Sequence, residues 1–341
     1  MEYRRLGRSG LKVSELCLGT MTFGKGTDQA EADRIVSLAI DSGLNFIDTA
    51  NSYNDGVSET MLGAILENRR DRVVLATKVF NPMGSGPNDS GMSRAHIMRA
   101  IDDSLRRLRT DYVDIYYIHH VDVQTPLEEM LRAFDDLITA GKIRYAACSN
   151  YEAWRLMEAI WLADTNGWAR FACYQPQYSM VVRDIEEEIV PVCELKGLGI
   201  VVWSPLGGGF LSGKYQPGET KREGARSAEG WGFPLRFFAA NRDEILATLL
   251  QVAAELGRSP AQVALRWVLD QPFITSAIVG ARLATQLQDN LNASGWCLTD
   301  EHRTRLDRIS APAMRYPKSM EYDMRRRRDS AVRPVAPEAG H

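Results

Sequence analysis

Three apolar runs each end in an ionisable side chain, and those three residues, with one tyrosine, have the types needed for acid–base chemistry. Leu44-Asn-Phe-Ile-Asp48 ends in an aspartate, and a polar turn then delivers Tyr53. Val73-Val-Leu-Ala-Thr-Lys78 ends in a lysine, and Tyr112-Val-Asp-Ile-Tyr-Tyr-Ile-His119 in a histidine. Each run has the length and the β-branched or aromatic content of a buried strand. Singly, the aspartate reads as a turn or cap residue, the lysine as surface and the tyrosine as packing. At like positions on successive strands they gather around one mouth. A phenol titrates near pH 10 in water, and a nearby ammonium favours the phenolate and lowers that value. A lysine buried under such a mouth needs a counter-ion, and Asp48 can supply it. The expectation is a Tyr53 able to release a proton at useful pH, with His119 orienting a carbonyl oxygen or assisting donation. Proton donation with no Cys or Ser nucleophile in view suits carbonyl reduction, provided a hydride source is bound.

Positioning these groups requires a repeated scaffold. Residues 3–15 alternate around a Gly-Arg-Ser-Gly turn at 7–10 and predict a hairpin. Strand patterns follow at 16–20, 44–48, 73–78, 112–118, 143–148, 171–175, 199–203 and 275–279. Helical patterns fall between them, over 28–42, 58–69, 93–108, 127–140, 151–163 and 184–196, then 236–256, 259–269, 283–291 and 300–309. Asp28, Ser93 and Ser259 suit N-caps, Pro260 suits a first helical position, and Gly43 and Gly141 suit helix stops. A Gly/Pro/Asn-rich loop at 81–92 and a Gly-rich, then charged stretch at 206–233 interrupt the beat. Repeated βα units imply a parallel sheet, and eight of them favour a (β/α)8 TIM barrel with an N-terminal β-hairpin and extra C-terminal helices. A doubly wound open sheet is the alternative, and for a dinucleotide binder it calls for a GxGxxG turn that is absent here. The barrel is expected over 1–318 as a single domain. Residues 319–341 are expected to form a polar tail in which Arg325 to Arg328 is a solvated charge run.

The chain has 341 residues, 45% hydrophobic and 25% charged, which suits one large barrel or two average domains. A net charge of -3 gives no nucleic-acid footprint. No apolar run reaches membrane-spanning length, and Met1-Glu-Tyr-Arg-Arg5 has no apolar signal core, so a cytoplasmic protein is expected. Cys17, Cys148, Cys173, Cys193 and Cys297 are scattered without a CxxC and read as reduced core thiols. His96 and His302 fall in helical segments expected to be exposed. No histidine pair has metal spacing with a third ligand nearby, so no metal is expected.

Four motifs then occur in order: Arg5-Leu-Gly-Arg-Ser-Gly-Leu-Lys-Val-Ser-Glu-Leu-Cys-Leu-Gly-Thr-Met-Thr-Phe-Gly24, Asp48-Thr-Ala-Asn-Ser-Tyr53, Leu75-Ala-Thr-Lys78, and Tyr116-Tyr-Ile-His-His-Val-Asp122. On them the chain resembles the aldo-keto reductases over residues 3–318. The resemblance implies that Asp48, Tyr53, Lys78 and His119 are a catalytic tetrad with Tyr53 the general acid, and that the cofactor is NADP(H). It places Gly19, Thr20 and Met21, with Asp48, against that cofactor. Ser149 and Asn150 would hold the nicotinamide carboxamide, helped by Gln175. Trp203, in Trp203-Ser204-Pro205-Leu206, would stack on the ring, although by itself its indole reads as a core residue. Ser212, Lys214 and Arg226 would clasp the pyrophosphate. Gly280, Arg282, Gln286, Asp289 and Asn290 would hold the adenosine and its 2′-phosphate.

Tyr53, His119 and His120 would meet a small-molecule carbonyl substrate, with Phe23, the 81–92 loop, Trp231 and Phe233 as further walls. Residues 207–230 are expected to be mobile alone and to order over bound cofactor, since Gly207, Gly208 and Gly209 free the backbone. Potassium-channel β subunits, which bind NADP(H) as slow regulatory proteins, also resemble the chain through Trp203-Ser-Pro-Leu206, Ser212-Gly-Lys-Tyr215 and Gln286 to Asn290. They carry Asn where His119 stands, so the histidine favours an ordinary enzyme. A sugar- or polyketide-tailoring ketoreductase differs only in substrate, which the loops decide and the fold does not.

Overall fold

Short, largely apolar runs buried on both faces build strands that close on themselves. The computed structural model describes residues 1–220 and 237–329. An antiparallel hairpin comes first, β1 (Tyr3–Arg5) with β2 (Lys12–Ser14). Eight parallel strands follow: β3 (Leu16–Gly19), β4 (Phe46–Asp48), β5 (Val74–Val79), β6 (Val113–Ile118), β7 (Ile143–Ser149), β8 (Cys173–Gln175), β9 (Gly199–Val202) and β10 (Ser276–Gly280). They pair in sequence order, and β10 pairs with both β9 and β3, which closes the barrel. The expected (β/α)8 barrel with its leading hairpin is the observed fold.

Helices cover the outside: α1 (Gln29–Asp41), α2 (Val57–Leu66), α3 (Arg94–Leu108), α4 (Leu127–Thr139), α5 (Ala153–Asn166), α6 (Ile189–Lys196), α7 (Arg242–Leu256), α8 (Pro260–Leu269), α9 (Ala284–Leu291) and α10 (Asp300–Ser310). The capping signals act where expected. Asp28 accepts from the Glu31 N–H at 2.9 Å, and Ser93 and Ser259 accept from His96 and Gln262. Residue 236, where a helix is expected to begin, lies outside the described residues; residues 237–241 are turn-like, and α7 begins only at Arg242. Along α1, Ala32, Ile35, Val36, Ala39 and Ile40 form the buried stripe that helical spacing demands. Burying each Ile or Val of this stripe contributes ~1.5–3 kcal/mol.

Two layers of core result. Outward strand residues pack under the helices. Inward ones form a separate cluster: Cys17, Phe46, Val74, Ala76, Ile115, Tyr117, Ala147, Cys173, Val201 and Ile278. Leu6 and Val13 from the hairpin join that cluster and so plug the N-terminal end of the barrel. The turn presses close: Arg8 N–H donates to Gly197 O at 2.8 Å, and a Cβ on Gly7 (φ +56) would stand 2.4 Å from the Gly199 nitrogen. Only glycine fits there.

The chain divides into two compact units, Met1–Ser310 and Ala311–His341. Within the second, where a polar tail is expected, Lys318–Asp329 forms helix α11. Among the described residues no helix is long and apolar enough to cross a membrane.

Candidate active site

Inward positions recur every second residue along a strand. Adding two to the last interior residue of each strand leads from Cys17 to Gly19, Phe46 to Asp48, Ala76 to Lys78 and Tyr117 to His119. The same step leads from Ala147 to Ser149, Cys173 to Gln175, Val201 to Trp203 and Ile278 to Gly280. One barrel rim, the C-terminal one, therefore carries all eight residues that the sequence singles out at strand ends, six of them with side chains beyond glycine's hydrogen. This is the face on which barrel enzymes build their sites.

At the centre, Lys78 is fully buried, and its ammonium hydrogens have three acceptors. It pairs with Asp48 Oδ1, and donates to Thr49 O at 2.8 Å and to the Tyr53 hydroxyl at 3.1 Å. Asp48 Oδ2 accepts from Gln175 Nε2 at 2.9 Å, so strands on opposite sides of the barrel hold one carboxylate. His119 follows β6, fixed by its N–H to Val79 O at 3.0 Å, and its ring meets that of Tyr53 edge-on at 5.9 Å. His120 stacks on His119 at 4.5 Å and meets Phe80 edge-on. Asn150, held in the left-handed region at φ 62, donates to His119 O and Ser149 Oγ and accepts from Trp203 Nε1.

Electrostatics follow from this burial. Desolvation opposes the Lys78 charge, yet Asp48 and Tyr53 outweigh it and hold the ammonium above its usual 10.5. Burial likewise pushes the Asp48 carboxyl up, against the pull of Lys78 and Gln175. Tyr53 departs from expectation: the enclosing protein raises its phenol above the usual 10.0, and Lys78 only moderates that rise. Here desolvation of the phenolate outweighs the cation beside it. His119 lies well below 6.5, through burial first and then the charge of Lys78, so its ring is neutral at pH 7. The arrangement presents a protonated phenol and a neutral imidazole above a buried ion pair.

These groups open into a cavity of about 700 Å³. Tyr53, His119, His120, Gly19, Thr20, Met21 and Asp48 line it on one side. Ser149, Asn150, Gln175, Trp203, Ser204, Pro205 and Leu206 continue the wall, then Ser212 and Lys214, and finally Gly280, Arg282, Gln286, Asp289 and Asn290. Lys78 lies beneath, and Arg226, Trp231 and Phe233 lie outside the described residues. Within the stretch expected to be mobile, Gly207–Ser212 form 3-10 turns with Phe210 and Leu211 buried, while residues 221–230 lie outside the described ones. Asp289 is tied to α8, accepting from Ser259 Oγ at 2.9 Å and Gln262 Nε2 at 2.6 Å, and Gln286 Oε1 accepts from the Arg282 N–H.

Some expectations need correction. Phe23 is fully buried in the outer core and does not wall the cavity. His96 is 2% exposed, because the 81–92 loop folds over α3 and Asn88 O meets its Nδ1 at 3.2 Å. Met83 and Asp89 of that loop line a separate cavity of about 120 Å³, not the main one. Cys297 is exposed, unlike the other four cysteines. The sequence reading also missed Thr22, Ala261 and Thr285, which line the main cavity. Thr285 sits between Arg282 and Gln286 and could have been found by spacing, whereas nothing local marks Ala261.

Comparison with known proteins agrees with this architecture. Residues 15–311 match the model of the Aldo/keto reductase family. The chain is 40% identical over 304 residues to the uncharacterized oxidoreductase YrpG of Bacillus subtilis, covering 86% of this chain and 91% of the relative. It is 38% identical over 304 residues to a protein of Arabidopsis thaliana described as a probable voltage-gated potassium channel subunit beta, with the same coverage of 86% and 91%. It is 32% identical over 344 residues to the versiconal hemiacetal acetate reductase of Aspergillus parasiticus, covering 93% of this chain and 99% of that one. With barrel, rim chemistry and family match in agreement, the chain belongs to the aldo/keto reductase family and is an oxidoreductase.

Proposed function

We propose that the protein reduces an aldehyde or ketone to the alcohol with NADPH, Tyr53 giving the proton. The observation that carries this reading is the Tyr53 hydroxyl, held 3.1 Å from the Lys78 ammonium at the edge of a cavity that a neutral His119 also lines. The cavity's chemistry fits a nicotinamide dinucleotide. Amide side chains and an indole stand at the barrel mouth, and two cationic residues, Lys214 and Arg282, stand further out. Ser149, Asn150 and Gln175 would hold the carboxamide, and Trp203 would stack on the ring. Ser212 and Lys214, with Arg226, would take the pyrophosphate. Gly280, Arg282, Gln286, Asp289 and Asn290 would take the adenosine and its 2′-phosphate, and Gly19, Thr20 and Met21 would border the nicotinamide. Bound there, the cofactor supplies the hydride to the carbonyl carbon.

The protein's own part is proton management. Tyr53 O–H and His119 donate to the carbonyl oxygen and fix it in place. As negative charge grows on that oxygen, the Tyr53 proton moves to it, and the nearby Lys78 ammonium stabilises the phenolate left behind. Asp48 keeps Lys78 charged. Because burial raises the phenol, Tyr53 keeps its proton at neutral pH and yields it only to an oxygen becoming an alkoxide.

The test is NADPH oxidation against a panel of aldehydes, ketosugars and keto-steroids, with wild type and Tyr53→Phe. Turnover that is lost in Tyr53→Phe while NADPH still binds supports the reading, and retained turnover overturns it. A second reading, an NADP(H)-binding regulatory subunit, draws on the 38% identity to the Arabidopsis protein. It predicts tight cofactor binding with little turnover on the whole panel.

A further inference from the structure

We infer that Asn81 is a positioning residue: its side-chain amide donates to Nδ1 of His119, so the single ring proton sits on Nε2. Asn81 lies two residues beyond β5, and its placement follows from strand register. Val79 pairs with Ile118, so Phe80 and Asn81 run beside His119 just past the rim. Asn81 Nδ2 stands 3.1 Å from Ser52 Oγ and 3.4 Å from His119 Nδ1. An amide nitrogen has two hydrogens, and here it has two neighbours within reach, the Ser52 hydroxyl and the His119 ring nitrogen. One hydrogen holds Ser52, the neighbour of Tyr53, and the other is directed at the His119 ring. Asn81 thus ties together the two segments whose side chains face a substrate.

The consequence is chemical. A neutral imidazole has one N–H, and its other nitrogen can only accept. An amide donor at Nδ1 makes that nitrogen the acceptor and leaves Nε2–H as the donor. A hydrogen on Nδ1 would face the Asn81 hydrogens and leave Nε2 unable to donate to a carbonyl oxygen. The other groups around the ring do not set the tautomer. Tyr53 meets it edge-on, His120 stacks on it, and Asn150 binds its backbone carbonyl. Lys78 is the charged group among them; burial first, and then its cation, keep the ring neutral without choosing between the nitrogens. The benefit to catalysis rests on the carbonyl reduction proposed above, while the tautomer itself does not.

The test uses 15N-histidine-labelled full-length protein, with the His119 signals assigned by their absence from His119→Asn. Wild type should show a protonated Nε2 and an unprotonated Nδ1 at pH 8. In Asn81→Asp the carboxylate can only accept, so the proton should move to Nδ1, or the ring should become doubly protonated. Asn81→Leu removes the bias and should show a mixture. Kinetics supply a second readout that a merely structural residue would not move. In Asn81→Asp, kcat should fall about 100-fold at high pH, the low end of what a positioned proton donor contributes. It should recover as pH falls and the ring takes its second proton, whereas wild type and Asn81→Leu should show no such recovery. A wild-type spectrum with Nδ1 protonated overturns the proposal, as does Asn81→Asp with the wild-type spectrum and a flat profile. If no carbonyl is reduced by wild type, the proposed activity fails, and the spectra alone still decide the role of Asn81.

Discussion

Replacing Lys78 with Met removes one side chain and leaves a fully buried charge behind it. The change deletes the pair with Asp48 and the hydrogen bonds to Thr49 O at 2.8 Å and Tyr53 at 3.1 Å. Asp48, 2% exposed, then keeps only the Gln175 amide. Breaking a buried pair from one side costs about 3–5 kcal/mol. The sign of its pH dependence follows from Asp48. Burial already lifts its folded pKa above the usual 3.8, and removing Lys78 deletes the largest opposing influence, so it rises further. A carboxyl raised on folding favours the native state below its unfolded pKa and loses that advantage as pH climbs through the folded value. The cost of Lys78→Met, relative to wild type, should therefore be full at about pH 8 and shrink towards about pH 4. Adding Asp48→Asn to Lys78→Met removes the uncompensated charge and should recover most of the stability while the enzyme stays inactive. Urea unfolding followed by tryptophan fluorescence, with seven Trp residues in the chain, reads all three proteins. A loss of ~1 kcal/mol or less at high pH, the size of an exposed pair, would refute the reasoning. So would a double variant less stable than the single one.

Three further outcomes follow from the same geometry. Tyr53→Phe should lower kcat by about 10²–10⁴-fold with NADPH affinity retained, read by steady-state kinetics and fluorescence titration; a smaller loss would move the proton donor elsewhere. Arg282→Ala should cut the NADPH-over-NADH ratio of kcat/KM at least about tenfold, since a hydrogen bond to a charged group contributes ~1.5–3 kcal/mol; equal use of both cofactors by wild type counts against it. For reduction, kcat/KM should be flat between about pH 7 and 9, because His119 lies well below 6.5 and Tyr53 and Lys78 lie above 10.0 and 10.5. A break in that window would require a titrating group other than these three.

The barrel was legible because its strands are buried on both faces and read as apolar runs, and its helices keep a 3.6-residue stripe with caps at their starts. The rim was legible for a related reason. Once a strand's phase is known, its next inward position is two residues on, and at Asp48, Lys78 and Gln175 that position carries a polar residue no core would choose. What escaped the sequence depends on contact between segments distant along the chain. Gln175 reads as a cofactor residue, and nothing near it in the chain shows that its amide nitrogen also reaches Asp48 across the barrel. His96 read as exposed because nothing in α3 foretells a loop folding over it. The sign at Tyr53 escaped for an energetic reason. Residue types announce that a cation is near, but the direction of the shift depends on how completely the protein excludes water, and only the closed structure sets that. Asn81 combines both difficulties. It carries no charge, it lies beyond the strand, and its meaning arises only when the register of β5 against β6 brings it to a ring whose burial has already left it a single proton.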